Sequence, residues 1–260
     1  MRAHDFARER GGRFLLRIED IDPTRCREDF VEGIMEDLRW LGLNWDGEVI
    51  RQSQRLPIYA EALDRVRDMG LLYPCFCTRR DIAASASAPH GPDGPVYPGT
   101  CRGLSDPERA RRMAIEPHCW RIDMAAATAQ AGPLSWHDSI AGEIAADPIS
   151  HGDVVLARKD APVAYHLAVT IDDAAQGISD VVRGEDLFAA THVHRLLQAL
   201  LGLPAPAYHH HPLLRDAEGR RLAKRDGAPA LADLRNEGRD PALLLSELRN
   251  RVVGSAPARA

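Results

Sequence analysis

The sequence predicts an α/β protein whose core is interrupted by a smaller insertion, and three features of the chain support this. "RFLLRIE", residues 13–19, is an apolar run that ends in charge and is typical of a buried strand. Two segments with helical spacing of apolar residues follow it, and a second apolar run, "LLYPCFC", comes after them. Beyond about residue 84 a stretch rich in Ala, Pro and Gly breaks the pattern, which resumes near residue 161. Buried strands that alternate with helices in this way indicate an α/β sheet.

The composition is that of an ordinary globular protein. The 260 residues are 45% hydrophobic and 27% charged, and the net charge of -5 provides no general attraction to nucleic acid or anionic membranes. No apolar run is long enough to span a bilayer, and "MRAHDFARER" contains no signal-peptide core. The five cysteines, an odd number, indicate reduced thiols rather than a disulfide framework. We therefore expect a cytoplasmic protein that contacts no membrane.

The helices of the first half are predicted from the spacing of apolar residues. After the first strand, "DIDPTR" is typical of a proline-containing loop. A helix is predicted from Glu28 to a stop at Gly42, because apolar residues recur at helical spacing: Val31, Ile34, Leu38 and Leu41. A second helix, ending near Gly70, is predicted on the same evidence from Leu56, Tyr59, Leu63 and Val66.

The second half of the chain contains short strand-like pieces and then a return to the α/β pattern. The stretch at residues 84–103 is expected to be neither helix nor strand, and the short strands are predicted at "CWRIDM", "LSWHDS" and "DVVLARK". "VAYHLAVTIDD", "SDVVRGEDL" and an apolar helix around residues 193–200 restore the pattern. "AYHHHPLL" is predicted as a strand, whose alternation directs His209, His210 and His211 to opposite faces and excludes them as one metal site. Two short helices are expected at the end of the chain.

Three cysteines predict a structural zinc site. Cys75 and Cys77 form a C-x-C pair after the second apolar run, and Cys101 lies in the Pro/Gly-rich stretch. Zinc in closed structural sites takes four ligands, mostly thiolates and imidazoles. By this chemistry the fourth ligand is His90 rather than Tyr97, because phenolate ligation is uncommon. Three free, partly buried thiols are the alternative interpretation.

Three stretches together resemble the class I glutamyl-tRNA synthetase group over nearly the whole chain. They are "RFLLRIEDIDPTR", "AYHLAVTIDDAAQGISDVVRGEDL" and "GRRLAKRDG", in this order and around an insertion. The resemblance implies a class I aminoacyl-tRNA synthetase-type Rossmann nucleotide-binding core. It divides the chain into the first half of the core at 1–74, a zinc-bearing insertion at 75–160, the second half at 161–215, and a KMSKS-like loop with a short helical tail at 216–260.

Within that group the chain resembles the family of short paralogues, the glutamyl-Q tRNA(Asp) synthetases. Their metal pattern, C-x-C followed by Y-x-x-x-C, falls on Cys75, Cys77, Tyr97 and Cys101, so the resemblance replaces His90 by Tyr97. The resemblance implies one structural Zn²⁺, ATP with Mg²⁺, L-glutamate, and transfer of glutamate to queuosine of tRNA(Asp) by a monomeric enzyme. A glutamyl-tRNA synthetase that charges the tRNA 3′ end and a non-catalytic, zinc-dependent tRNA-binding protein are the alternative functions.

The resemblance also assigns substrate-binding roles that physical chemistry supports. Glu19, at the end of a strand, could pair with the α-ammonium of glutamate, and Arg183 could hold a carboxylate with two hydrogen bonds. Tyr165 would contribute a hydroxyl to the glutamate pocket, and Lys224 would stabilise charge between the α-phosphate of ATP and pyrophosphate. Lys224 belongs to the KMSKS-like loop, which consists of Arg221, Leu222, Ala223, Lys224 and Arg225. A solvated loop, a structural ion pair and a core tyrosine are the non-functional interpretations of these residues.

The sequence departs from the family pattern in two places. The 260 residues contain no strand with a HIGH-like motif, which contacts ATP in this group, and "AHDFARERGG" resembles the end of the helix that follows that motif. We therefore expect that translation begins upstream and that the printed chain alone is inactive. Ala223 replaces the serine of the loop motif, from which we expect a modest effect, and Arg221 replaces its first lysine with retention of charge.

Overall fold

The structure, a computed structural model, describes residues 1–22, 24, 26–83, 90–91, 94–214 and 230–253. The helices are α1 Arg2–Glu9, α2 Glu28–Trp40, α3 Leu56–Asp68, α4 Arg79–Ala83, α5 Asp106–Met113, α6 Met124–Ala131, α7 Tyr165–Ala175, α8 Ala190–Leu201, α9 Leu231–Asn236 and α10 Pro241–Val253. The strands are β1 Arg17–Ile18, β2 Ile50–Arg51, β3 Leu72–Cys75, β4 His90–Gly91, β5 Gly94–Pro95, β6 Cys119–Ile122, β7 Ser135–Asp138, β8 Gly142–Ala145, β9 Val155–Ala157, β10 Asp180–Gly184 and β11 Ala207–His211. Among the described helices, none is both long enough and apolar enough to cross a membrane.

The α/β character is confirmed, and the predicted helices form where their apolar residues recur. Helix α2 begins at Glu28 as predicted and ends at Trp40, and Gly42 has the positive φ of +69° that ends many helices. Helix α3 begins at Leu56 and buries Tyr59, Leu63 and Val66 on one face, together with Ala62. The apolar helix of the second half and the two C-terminal helices are also present as α8, α9 and α10.

Two strand predictions need correction. The run at residues 13–19 forms only the two-residue strand β1, because its first part pairs with a loop instead of a sheet. The backbone N–H of Phe14 donates to the Asp46 carboxylate, and its carbonyl accepts from the Asp46 N–H, both at 2.8 Å. Within the stretch that was expected to contain no strand, β4 and β5 pair antiparallel over two residues each.

The described residues form two compact units, of which the first comprises residues 1–51, 181–188 and 209–260. In this unit β1 pairs with β2 in parallel. The C-terminal helices pack Leu244 and Leu245 against Leu41 and Leu43. An ion pair between Arg249 and Asp5 at 2.8 Å links the same parts of the chain. The first unit is therefore held together by a small apolar cluster and by surface ion pairs.

The second unit, residues 52–180 and 189–208, contains the predicted strands of the insertion. Strand β6 lies in the middle of an antiparallel sheet, between β3 and β9. Strands β7 and β8 form a hairpin, and Tyr208 of β11 pairs with Asp138 of β7. The prediction that "CWRIDM", "LSWHDS" and "DVVLARK" contain strands is confirmed. The proposed division into four sequence segments stays a prediction.

A fully buried carboxylate connects two helices of the second unit. Asp172 of α7 is 0% exposed and accepts hydrogen bonds from three side chains that lie around α3. The donors are Gln52 Nε2, Arg55 Nε and the Tyr59 hydroxyl, each at 2.8 Å. Burial, followed by the hydrogen bond to Asp172, raises the pKa of Tyr59. The phenol therefore stays protonated and remains a donor.

Candidate metal centre and substrate-binding residues

Two segments bring the predicted metal ligands together. Strand β3 is buried along its whole length and ends at Cys75, with Cys77 two residues later. The second segment turns at Gly99, whose φ is +80°, between the buried residues Tyr97 and Cys101. The Cys101 backbone N–H donates to the Tyr97 phenolic oxygen at 2.8 Å. This turn directs the phenol and the thiol to the same side.

The distances among these side chains fit a tetrahedral cation. The Sγ atoms of Cys75, Cys77 and Cys101 all lie within 4.8 Å of one another. The Cys77 Sγ is 3.6 Å from the Cys101 Sγ and 3.6 Å from the Tyr97 oxygen. A tetrahedral zinc with Zn–S bonds of about 2.3 Å separates neighbouring sulfurs by about 3.8 Å. Three thiols and a phenol can therefore hold one metal ion with little rearrangement.

The acidic groups of the cluster differ widely in pKa. The neighbouring Cys119 thiol is the main cause that lowers the pKa of Cys75 to about 4, and Tyr97 and Arg121 contribute in the same direction. Burial raises the pKa of Cys77 to about 11 and also raises the pKa of Tyr97. A metal ion that binds Cys77 and Tyr97 as anions must displace their protons, so metal affinity increases with pH.

A second buried carboxylate fixes the cysteine loop to the sheet. Asp153 accepts hydrogen bonds from the Tyr73 hydroxyl, from Arg102 Nε at 2.8 Å and from the Met124 N–H at 3.0 Å. Arg102 directly follows Cys101, and Tyr73 is a residue of β3. This network holds the two ligand-bearing segments together independently of any metal.

Sequence reasoning missed two neighbours of this cluster. Cys119 pairs with Cys75 across the β3–β6 ladder, and its thiol donates to the Cys75 carbonyl at 3.5 Å. Arg121 follows on the same face of β6. The signal that could have found them is the alternation in "CWRID", which places a thiol and an arginine on one face of a buried strand. The His90 side chain lies outside the described residues.

Two of the predicted glutamate-binding residues lie in the first unit. Glu19 directly follows β1, and its carboxylate is 3.6 Å from the Arg17 guanidinium. Arg183, on β10, donates from Nε to His210 Nε2 at 3.1 Å and from Nη2 to the Leu187 carbonyl at 3.2 Å. Both contacts orient this guanidinium.

His210 is buried on β11 while its two histidine neighbours are only partly buried, which confirms the predicted alternation of the histidine tract. Its ring also packs against Phe188, with ring centroids 5.0 Å apart. Sequence reasoning gave His210 no role, and its contact with Arg183 was not predicted.

Tyr165 lies in the second unit, at the first position of α7, and is 36% exposed. Its ring packs against His166 and His194, with centroid separations of 5.6 and 5.7 Å. His166 and His194 also approach each other, with 3.1 Å between ring nitrogens. The imidazole rings of His166 and His194 thus position the phenol ring of Tyr165. The KMSKS-like loop, including Lys224, lies outside the described residues.

Comparison with known proteins gives a consistent result. Residues 2–259 match the family described as tRNA synthetases class I (E and Q), catalytic domain. A glutamyl-Q tRNA(Asp) synthetase of Rhodobacter capsulatus is 52% identical over 250 residues, which cover 92% of this chain and 89% of the relative. A protein of the same name from Nocardia farcinica is 48% identical, over 95% of this chain and 76% of the relative.

Solved structures of glutamate tRNA ligases are also similar. One, from Elizabethkingia meningosepticum in complex with its amino acid, has a TM-score of 0.71 and 28% sequence identity. The match covers 87% of this chain and 48% of that chain. A second, from Elizabethkingia anophelis, has a TM-score of 0.72 and 29% identity, over 86% of this chain and again 48% of that chain. The chain thus spans about half the length of these two enzymes.

Proposed function

The chain belongs to the class I tRNA synthetases of the glutamate and glutamine type, and from this membership we propose that it activates L-glutamate with ATP and transfers it to queuosine of tRNA(Asp). The observation that carries the proposal is the 52% identity, over 89% of its length, to a relative named for that reaction. The identity to a solved glutamate tRNA ligase is 28%. The comparisons therefore favour the queuosine-directed reaction over charging of the tRNA 3′ end.

The proposed reaction has two steps, activation and transfer, and neither step changes an oxidation state. A carboxylate oxygen of glutamate attacks the α-phosphorus of Mg²⁺-bound ATP, and pyrophosphate leaves. A hydroxyl of queuosine then attacks the activated carbonyl carbon, AMP leaves, and the hydroxyl proton passes to solvent. Because the enzyme supplies no covalent group, we expect its contribution to be alignment and charge stabilisation.

We assign the roles of the predicted residues on this basis. Glu19 pairs with the α-ammonium of glutamate, Arg183 with a carboxylate, and Tyr165 supplies a hydroxyl. The preset orientation of Arg183 by His210 supports its role, since an oriented guanidinium loses less freedom when it binds. Lys224 is proposed to stabilise charge that develops on the phosphates.

We propose that Cys75, Cys77, Tyr97 and Cys101 hold one structural Zn²⁺. The donor set and its 3.6 Å separations support this ligand assignment. A site closed by four protein ligands leaves no position for substrate, so the ion would order the loop rather than take part in chemistry. We further propose that the protein acts as a cytoplasmic monomer.

Arg183→Ala is expected to reduce kcat/KM for glutamate by an amount equivalent to about 2–5 kcal/mol, the range for loss of one partner of a buried charge pair. The physical reason is that one substrate carboxylate would be left without its charge-assisted hydrogen bonds. Arg183→Lys should recover only part of the loss, because an ammonium cannot donate two parallel bonds. Glutamate-dependent pyrophosphate exchange measures both, and Arg195→Ala is the matched control. Arg195 donates to the Ser135 carbonyl and has no proposed contact with substrate. An equal loss in Arg195→Ala would contradict the assignment.

The proposed function is tested with the purified protein and labelled glutamate. We expect ATP-dependent attachment of labelled glutamate to tRNA(Asp) that contains queuosine, and none to the same tRNA without queuosine. Label at the 3′ end of queuosine-free tRNA would instead identify a charging enzyme. Tight tRNA binding without glutamate-dependent pyrophosphate exchange would identify a non-catalytic binder.

A further inference from the structure

A buried arginine lies beside the thiol cluster, and no described residue provides it with a carboxylate partner. Arg121 of β6 is 9% exposed. Its Nη1 donates to the Asp153 main-chain carbonyl at 2.6 Å, and its buried Nε has no hydrogen-bond partner among the residues that the structure describes. Two arginines elsewhere in the described chain show the usual alternative: the partly buried Arg55 pairs with Asp172 and the exposed Arg102 pairs with Asp153, both at 2.8 Å.

An uncompensated guanidinium in this position is costly. Removal of a charge from water carries a penalty of several kcal/mol in a protein interior unless an opposite charge is close. The carboxylate of Asp153 is already engaged by Tyr73, Arg102 and Met124. Within the described part of the chain, no carboxylate lies within 4.0 Å of the Arg121 nitrogens. The charge that balances Arg121 must therefore come from another source.

The geometry places that source at the thiol cluster. Alternation along β6 puts Arg121 on the same face as Cys119, which pairs with Cys75. The Arg121 guanidinium carbon also lies 4.1 Å from the centroid of the Tyr97 ring. Arg121 thus contacts the aromatic face of one proposed ligand, Tyr97. It is also the next residue after Cys119 on the same face of β6, and Cys119 is the strand partner of a second proposed ligand, Cys75.

The expected charge of the loaded site matches this arrangement. Zn²⁺ with three thiolates carries one net negative charge, and a second is added if Tyr97 binds as phenolate. A cation in the immediate surroundings stabilises such a buried anionic centre, and groups around a metal's ligands tune its affinity. No other arginine in the described chain combines burial, absence of a carboxylate partner and contact with a proposed ligand.

We propose that Arg121 is the counter-ion of the zinc centre and, by stacking on Tyr97, the residue that positions the phenol as fourth ligand. The proposal rests on the zinc site of the proposed function and adds a residue to it. The guanidinium balances the negative charge of the thiolates, and its contact with the Tyr97 ring, 4.1 Å from the ring centroid, holds that ring beside the cluster. The loaded site in turn supplies the charge that permits Arg121 to be buried.

The test compares the zinc dissociation constants of purified variants by competition with a chromophoric chelator at one pH. Arg121→Met keeps the length of the side chain but removes the charge, and we expect it to weaken zinc binding by about 10–100-fold. Arg121→Lys keeps the charge and should recover part of the affinity. Arg67→Met is the matched control, because Arg67 also contacts an aromatic ring of β6, with its guanidinium carbon 5.9 Å from the Trp120 centroid. Its zinc affinity should equal that of the unmodified protein.

A double-mutant cycle separates a specific effect from general loss of structure. In a Tyr97→Phe background, Arg121→Met should have a smaller effect on zinc affinity than in the unmodified background, because the phenol is already absent. The Co²⁺-loaded protein should show an altered absorption spectrum in Arg121→Met and not in Arg67→Met. Unchanged zinc affinity in Arg121→Met would overturn the proposal while the zinc site stands. An unmodified protein that binds no zinc would overturn both.

Discussion

Cys101→Ser is expected to abolish stoichiometric zinc binding. The Cys101 thiol is 3.6 Å from the Cys77 thiol, on one edge of the proposed tetrahedron. A serine hydroxyl is a poor replacement, because zinc in structural sites binds thiolate and the hydroxyl stays protonated. Structural zinc sites in small domains have apparent binding free energies of about 10–16 kcal/mol, so loss of one ligand is a large effect. Metal analysis of the purified protein should show one zinc per chain before the substitution and almost none after it.

Cys119→Ser is the matched control for this prediction. Cys119 is also a buried thiol, and it contacts Cys75, but it lies outside the proposed ligand set. We expect this variant to retain its zinc. Loss of zinc in Cys119→Ser with retention in Cys101→Ser would show that the ligand set is wrong. If zinc is retained in Tyr97→Phe and lost in His90→Ala, the fourth ligand is His90 and the other three assignments stand.

The structural consequence of zinc loss should stay local. Asp153 accepts hydrogen bonds from both Arg102 and Tyr73, and these bonds do not depend on a metal ion. After zinc is lost they should still connect the cysteine loop to β3. The main apolar residues of the second unit, such as Leu167 and Leu196, belong to helices α7 and α8 and are buried apart from the cluster. Amide exchange should therefore accelerate around residues 97–103 and remain slow in these two helices.

The sequence was informative where short-range spacing decides structure. Helix α2 carries its apolar residues at helical intervals, and its first residue, Glu28, was predicted from this pattern. The strand β11 alternates in burial as its histidine tract predicted. Both results depend on residues within a few positions of one another, which is the range over which periodicity contains information.

Contacts between distant parts of the chain were not predictable in this way. Strand β1 is short because Phe14 pairs with Asp46, 32 positions later. Asp172 contacts Gln52, which is 120 positions away, and "IDD" gives no local indication that its first carboxylate is buried. Arg121 was missed for the same reason, since its environment is built from three separate segments.

The fourth metal ligand shows what each kind of reasoning contributed. General zinc chemistry favoured His90, whereas the resemblance to a family pattern favoured Tyr97. The Tyr97 oxygen lies 3.6 Å from the Cys77 thiol, which supports the family pattern. Spacing alone could not decide, because both residues lie within the same Pro/Gly-rich stretch, in which the sequence predicted neither helix nor strand.

Asp172→Ala is expected to lower the free energy of unfolding by about 3–5 kcal/mol, the range for removal of one partner from a buried ion pair. The carboxylate is 0% exposed and satisfies Gln52, Arg55 and Tyr59. Its removal leaves these donors without an acceptor and Arg55 without its counter-charge. Urea denaturation followed by circular dichroism measures the change, on the assumption that the second unit unfolds in one step.

Asp64→Ala provides the contrast that isolates burial as the cause. Asp64 also pairs with an arginine of α3, Arg67, at 2.6 Å, but its side chain is 52% exposed. Exposed pairs contribute about 0–1 kcal/mol, so this variant should unfold almost as the unmodified protein does. Asp172 lies two turns after Tyr165 on α7, so partial loosening of the helix should also raise KM for glutamate in a folded variant such as Asp172→Asn. Equal stability losses in the Asp64 and Asp172 variants would show that the buried network does not hold α3 and α7 together.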